Sequence, residues 1–324
     1  MPAPTPLATV FKHLLKLALP LPLLATACDL HDVYRVTVPA QEILTEEQLD
    51  TLCGDMSFEQ CHKACTHVMT RLASMPDTLD ITALCAGDYC EVVDCEPQRF
   101  ETLEMTCSCS YVAGRRPDGL QSEGLPQGGD PVGRWLAEVA HLEAAAVFAF
   151  ANLARELAHH GAPQDLVDRA LDAARDEVIH ADLTSALALQ RGVIPQVPEV
   201  APFQVRSLMD MALDNASEGC VLETFAALMA SWQAQTAQDT AIRTVMARIA
   251  RDETRHGELA RDIDVWLRPK LSKAQARQVE AARRDALATL GQQPQPASVL
   301  VTCVGLPDQD TAQTLAREFQ RALA

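Results

Sequence analysis

Residues Ala174–Ala181 read ARDEVIHA, and residues Ala250–Gly257 read ARDETRHG. The pattern Ala-Arg-Asp-Glu-x-x-His therefore occurs twice, about eighty residues apart. Side chains three apart on an α-helix are neighbours, with Cβ atoms about 5–6 Å from each other. One Glu-x-x-His can thus direct an oxygen and a nitrogen to a single point. A lone pair of this kind is most often a surface feature. Two of them in matching surroundings call for a shared explanation.

The surroundings do match. From Trp135 onward the apolar residues follow helical periodicity. The first predicted helix spans about 133–160, and Gly161 and Pro163 make a short turn. The second spans about 163–191. Pro195, Pro198 and Pro202 then rule out helix. The third spans about 206–236, and Asp239 can cap a fourth that runs to Leu267 before Pro269. A fifth helix is expected at about 272–290, and a last one ends the chain at Ala324. Short, long and short connections describe two antiparallel hairpins joined by a crossover. The expected fold class is all-α, a four-helix bundle over 133–270 with C-terminal helices over 271–324.

On each predicted stripe, ionisable residues sit between apolar ends. The first runs Leu136, Ala140, Glu143, Val147, Phe150; the second Ala170, Ala173, Glu177, His180, Leu187; the fourth Met246, Ile249, Glu253, His256, Ala260. Buried carboxylates cost several kcal/mol unless something neutralises them, and a cation shared among them would do so. Heights agree as well. Glu143 lies roughly 27 Å from the first turn and Glu177 roughly 24 Å beyond it, at 1.5 Å per residue. The third helix offers Glu218 or Glu223. Its apolar stripe favours Glu218. An internal repeat favours Glu223, because EVAHLEAAAVFAF from Glu138 aligns with EGCVLETFAALMA from Glu218. The repeat covers a stretch rather than one residue, so Glu223 is the preferred candidate. His159 and His160 end the first helix and suit its dipole. His141 points off the stripe.

With these residues in hand, 133–267 resembles the ferritin-like superfamily, which includes bacterioferritin, rubrerythrin and di-iron oxygenases. The resemblance rests on Glu143, Glu177-x-x-His180, Glu218 or Glu223, and Glu253-x-x-His256. HLEAAAVFAF, EGCVLETF and IARDETRH are similar to a bacterial subgroup of that superfamily. The resemblance implies two iron ions, or manganese, at these positions, and an oxidoreductase that uses O₂ or peroxide, ferroxidase-like in one version. No tyrosine follows Tyr111, which argues against a stored tyrosyl radical, and the paired Cys-x2-Cys of rubrerythrin is missing. The alternative is an envelope-anchored binding or scaffold protein whose bundle holds metal for structure only.

The first 27 residues read as an export signal. Lys12 and Lys16 precede the apolar run LALPLPLLATAC, which is too short and proline-broken to span a membrane comfortably. LLATAC resembles a bacterial lipobox, which would make Cys28 a lipidated membrane anchor. Eight of the 11 cysteines, Cys53, Cys61, Cys65, Cys85, Cys90, Cys95, Cys107 and Cys109, lie within the expected domain 28–113. Behind an export signal this density reads as a disulfide framework, with zinc as the rival. Cys220 and Cys303 stand apart, either as a further pair or with Cys220 as a small buried residue. Residues 114–132, rich in Gly and Pro, read as a linker. The formal charge of −17 without a basic patch excludes nucleic acid as a partner.

Overall fold

The computed structural model describes residues 6–18, 36–38, 89–92, 103–108, 115–121, 129–291 and 296–323. Among these the chain is mostly helical. Helix α1 is Leu7–Ala18. Three short strands follow, β1 Val36–Val38, β2 Tyr89–Val92 and β3 Leu103–Ser108, in the antiparallel order β1-β3-β2. Cys90 and Cys107 are register partners across β2 and β3. Cys28, Cys53, Cys61, Cys65, Cys85, Cys95 and Cys109 lie outside the described residues.

The stretch expected to be a linker is partly structured. Leu120–Gln121 forms β4 and pairs with β5, Glu199–Val200, inside the crossover. Helix α2 runs Pro131–His159, starting two residues before the predicted boundary because Asp130 accepts a hydrogen bond from the Gly133 N–H at 2.6 Å and Pro131 suits the first turn. Gly161, at φ 69°, follows its C-terminus, where the Ala162 N–H returns to the Leu157 carbonyl. Helix α3 is Gln164–Gln190, antiparallel to α2.

The third predicted helix is not one regular helix. Leu208–Asp214 is α4, Asn215–Glu223 is a π-helical segment, and Thr224–Thr236 is α5. Helix α6, Thr240–Leu267, starts where Asp239 accepts from the Ala241 and Ile242 amides. Helix α7, Lys273–Thr289, opens with a capping box between Ser272 and Gln275. The last helix, α8, is Gln309–Leu323.

Two apolar clusters pack the long helices. One end holds Trp135, Leu136, Ile242, Met246 and Val304. The other holds Phe150, Leu153, Leu166, Met211 and Ile263. Between them lies a layer of buried acids and histidines: Glu177, His180, Glu223, Glu253 and His256. A third cluster lies outside the long helices. There Leu7, Phe11 and Leu14 of α1 meet Phe225 and Leu228 of α5 and Phe319 of α8. Residues expected to belong to an export signal thus supply an amphipathic helix on this flank. Cys303 is disulfide-bonded while Cys220 is a buried free thiol, so the two do not pair with each other.

Candidate metal centre

Each Glu-x-x-His occupies adjacent turns of one helix face, and the two faces meet. The His180 Nδ1 lies 3.6 Å from Glu143, 3.4 Å from Glu177 and 3.5 Å from Glu253. The His256 Nδ1 lies 3.1 Å from Glu177, 3.7 Å from Glu223 and 3.6 Å from Glu253. The two rings are 6.2 Å apart, centroid to centroid. Two groups of donors result, each able to hold a metal ion: Glu143, Glu177, His180 and Glu253, and Glu223, Glu253 and His256. Glu253 belongs to both groups. Glu177 also reaches toward both histidines, one oxygen to each. Both glutamates therefore sit between the two histidines.

The outward nitrogens explain the other repeated letter. The His180 Nε2 lies 3.2 Å from Asp252, and the His256 Nε2 lies 3.3 Å from Asp176. Each aspartate precedes a metal-directed glutamate on one hairpin and holds the histidine of the other. Arg255 joins the two, reaching Asp252 and Asp176 at 2.8 Å each. An Nε2–H held by a carboxylate fixes the tautomer and leaves Nδ1 as a lone-pair donor facing inward. Both Nδ1 atoms, the Glu177 Oε2 and the Glu223 Oε1 are buried without a hydrogen-bond partner. Buried polar atoms are normally satisfied. Their convergence in one layer suits a cation.

Titration behaviour carries the same signature. Burial disfavours the His180 imidazolium, yet the nearby Glu143 and Glu177 outweigh it and push its pKa up to about 11. Burial raises Glu223 to about 8 even though Arg115 works against it. Burial likewise raises Glu177 and Glu253. Without a cation, protons must occupy the layer. For Asp176 and Asp252, burial is outweighed by the facing histidine and Arg255, and both are lowered.

On the third helix the structure brings Glu223 into the cluster and leaves Glu218 out of both groups. The stripe that favoured Glu218 assumed a regular α-helical repeat. A π segment, bonded i to i+5, changes the angle between successive residues, so a helical wheel drawn through Leu208 loses its phase before Glu223. The internal repeat was unaffected, because it compares sequence with sequence.

Sequence reading missed Asp176, Asp252 and Arg115. The aspartates were visible as part of the repeat. Arg115 comes from the presumed linker and is buried. It bonds the Glu223 carboxylate at 3.2 Å, Asp214 at 3.1 Å and Asn215 Oδ1 at 3.0 Å. Gly219 makes room, since a Cβ there would lie 2.1 Å from the guanidinium. A second ionic cluster holds the crossover: Arg206 pairs with Glu156 at 2.8 Å and with Asp118 and Asp214 at 3.3 Å. His141 and His160 donate to crossover carbonyls, of Gln196 and Arg206. Both are structural.

No family model matches the chain, and none of the curated proteins or solved structures compared with it gives a match.

Proposed function

We propose that this chain is a ferritin-like di-metal oxidoreductase, with iron as the metal and manganese as the alternative. The observation that carries the reading is the split role of each histidine. Nε2 is held by an aspartate from the opposite hairpin, while Nδ1 faces unpartnered carboxylate oxygens. That is how a histidine ligand is oriented by its outer neighbours. Glu143 and His180 would complete one ion's shell and Glu223 and His256 the other's, with Glu177 and Glu253 between them. Four carboxylates against two divalent ions balance in charge, and imidazole with carboxylate suits iron or manganese.

Bound ions of this kind supply electrons for the reduction of O₂ or peroxide. The chain's own residues supply the rest. Asp176 and Asp252 fix the imidazoles, Arg115 fixes Glu223, and the flanking apolar clusters keep bulk water out. Fe²⁺ itself is one candidate electron donor. The work would take place in the bacterial cell envelope; a lipid anchor at Cys28 would require loss of residues 1–27 and with them α1, which packs on Phe225 and Phe319, and mass spectrometry of the mature N-terminus tests that part.

The central test is anaerobic Fe²⁺ loading of the full chain, followed by metal analysis and oxygen-electrode recording. About two irons per chain and O₂ uptake on aeration are expected. Bound metal without O₂ uptake would favour the scaffold reading, in which metal is structural. A folded chain that binds no transition metal would end the proposal.

A further inference from the structure

We infer that the two halves of the centre fill in a fixed order, the Glu143 half first, and that Arg115 is the residue that sets the order. The inference rests on the di-metal reading and ranks its two ions. Glu143 and Glu223 hold matching places in the internal repeat, and each lies beside one histidine. Their other neighbours differ. Glu143 has His180 as its ion-pair partner, and no arginine or lysine among the described residues pairs with it. Its half has four donors, Glu143, Glu177, His180 and Glu253, against three in the other, Glu223, Glu253 and His256. Glu223 is also partly engaged. Its Oε2 accepts from the Arg115 Nε at 3.2 Å, so only Oε1 faces the His256 Nδ1, at 3.7 Å.

The guanidinium has no room to retreat. Its side chain is 2% exposed, and it also donates to Asp214 and Asn215. It stands 5.6 Å from the centre of the Phe150 ring, which in turn lies 4.9 Å from the His256 ring. A full positive charge is thus built into the wall of the second half, where water does not screen it. It attracts Glu223 and repels any cation that shares that carboxylate. Asp214 offsets part of the charge, but Asp214 is also paired with Arg206 at 3.3 Å.

The other arginines near the centre do not cancel this difference. Arg255 reaches Asp252 and Asp176 at the same 2.8 Å, so it treats both histidines alike. Arg248 and Arg251 approach Asp252 on the His180 side, at 3.7 Å and 3.5 Å, but their side chains are 43% and 69% exposed. Exposed charges of that kind are screened and contribute little. The buried cation is the one beside Glu223. An ion in the Glu143 half meets three carboxylates with no buried cation among them, and is held more tightly.

The test is calorimetric titration of the metal-free full chain with Co²⁺, a divalent ion that imidazole and carboxylate bind. Two bound ions repel each other, so even equal halves would give two unequal steps; the variants decide. Glu143→Gln should weaken the first step about tenfold or more, whereas Glu223→Gln should leave it unchanged and weaken the second. Arg115→Met should tighten the second step about tenfold by removing the buried charge, with the first step unchanged. Damage to the fold would loosen binding, so a gain in affinity separates the charge effect from a structural one, and an intact first step shows that the variant is folded. Arg115→Lys keeps the charge and should keep the second step weak. Loss of the first step in Glu223→Gln, equal effects of the two glutamate variants, or a second step in Arg115→Met no tighter than in the wild type would each overturn the inference and leave the di-metal reading standing. A wild-type chain that binds no Co²⁺ would remove both.

Discussion

Replacing Arg115 with methionine separates the cost of the buried acid layer from the benefit of whatever neutralises it. Methionine preserves much of the side-chain volume and removes the guanidinium. Three acceptors lose their donor: Glu223, Asp214 and Asn215. Asp214 keeps Arg206 at 3.3 Å, so its loss is partial. Glu223, 1% exposed, keeps His256 at 3.7 Å but loses its guanidinium bond, so the loss concentrates there. Breaking a buried pair by removing one partner costs about 3–5 kcal/mol. Metal-free Arg115→Met should be destabilised by about that amount, moderated as Glu223 takes up a proton. In the metal-loaded protein the ions neutralise Glu223, and the loss should shrink to about 1–2 kcal/mol, the scale of the remaining hydrogen bonds. Urea denaturation followed by helical circular dichroism, with and without metal, measures both. Equal destabilisation in the two forms, or a metal-free loss below about 1 kcal/mol, would refute the assignment of Glu223 as a shared ligand of arginine and metal.

Asp176→Asn and Asp252→Asn should each lower metal affinity by about 10–100-fold in chelator competition, since each orients an imidazole across the hairpins. Glu223→Ala should cost metal stoichiometry, and Glu218→Ala should not; metal analysis of the purified variants decides, and the reverse order would restore the stripe argument. The metal-free protein should be more stable in mild acid than at neutral or alkaline pH. The folded-state pKa values of Glu223, about 8, and His180, about 11, both lie above their ordinary values. Their contribution is therefore fully present below the unfolded pKa and is lost as pH rises through the folded one. Thermal melts from pH 5 to pH 9 should show falling stability, and metal loading should flatten or invert that trend.

Much of the site was legible because helical geometry is local. Glu-x-x-His works within one turn, and the apolar stripes of α2, α3 and α6 keep one period from end to end. The start of α6 followed from Asp239, whose capping bonds are local too. The π segment was illegible, since no residue between Asn215 and Glu223 announces a change of pitch. Arg115 was illegible for a different reason. Its partners lie about a hundred residues away, and an aperiodic Gly- and Pro-rich stretch gives no sign of burial. The aspartates were present in the repeated pattern, but their role depends on which helices face each other, a tertiary fact.

The exchange of aspartates between hairpins has a consequence for assembly. Asp176, Glu177 and His180 correspond to Asp252, Glu253 and His256, and Glu143 corresponds to Glu223, so the centre has an approximate twofold axis running between the hairpins. A hairpin alone carries a glutamate-histidine pair whose imidazole has nothing to steady it. On the di-metal reading neither half would bind metal well by itself, since each imidazole is held only once the halves have docked. Two identical hairpins meeting head to head about that axis would rebuild the same crossed arrangement. On the di-metal reading the single chain has the logic of a symmetric dimer fused end to end, in which capture of metal would report that the two halves have found each other.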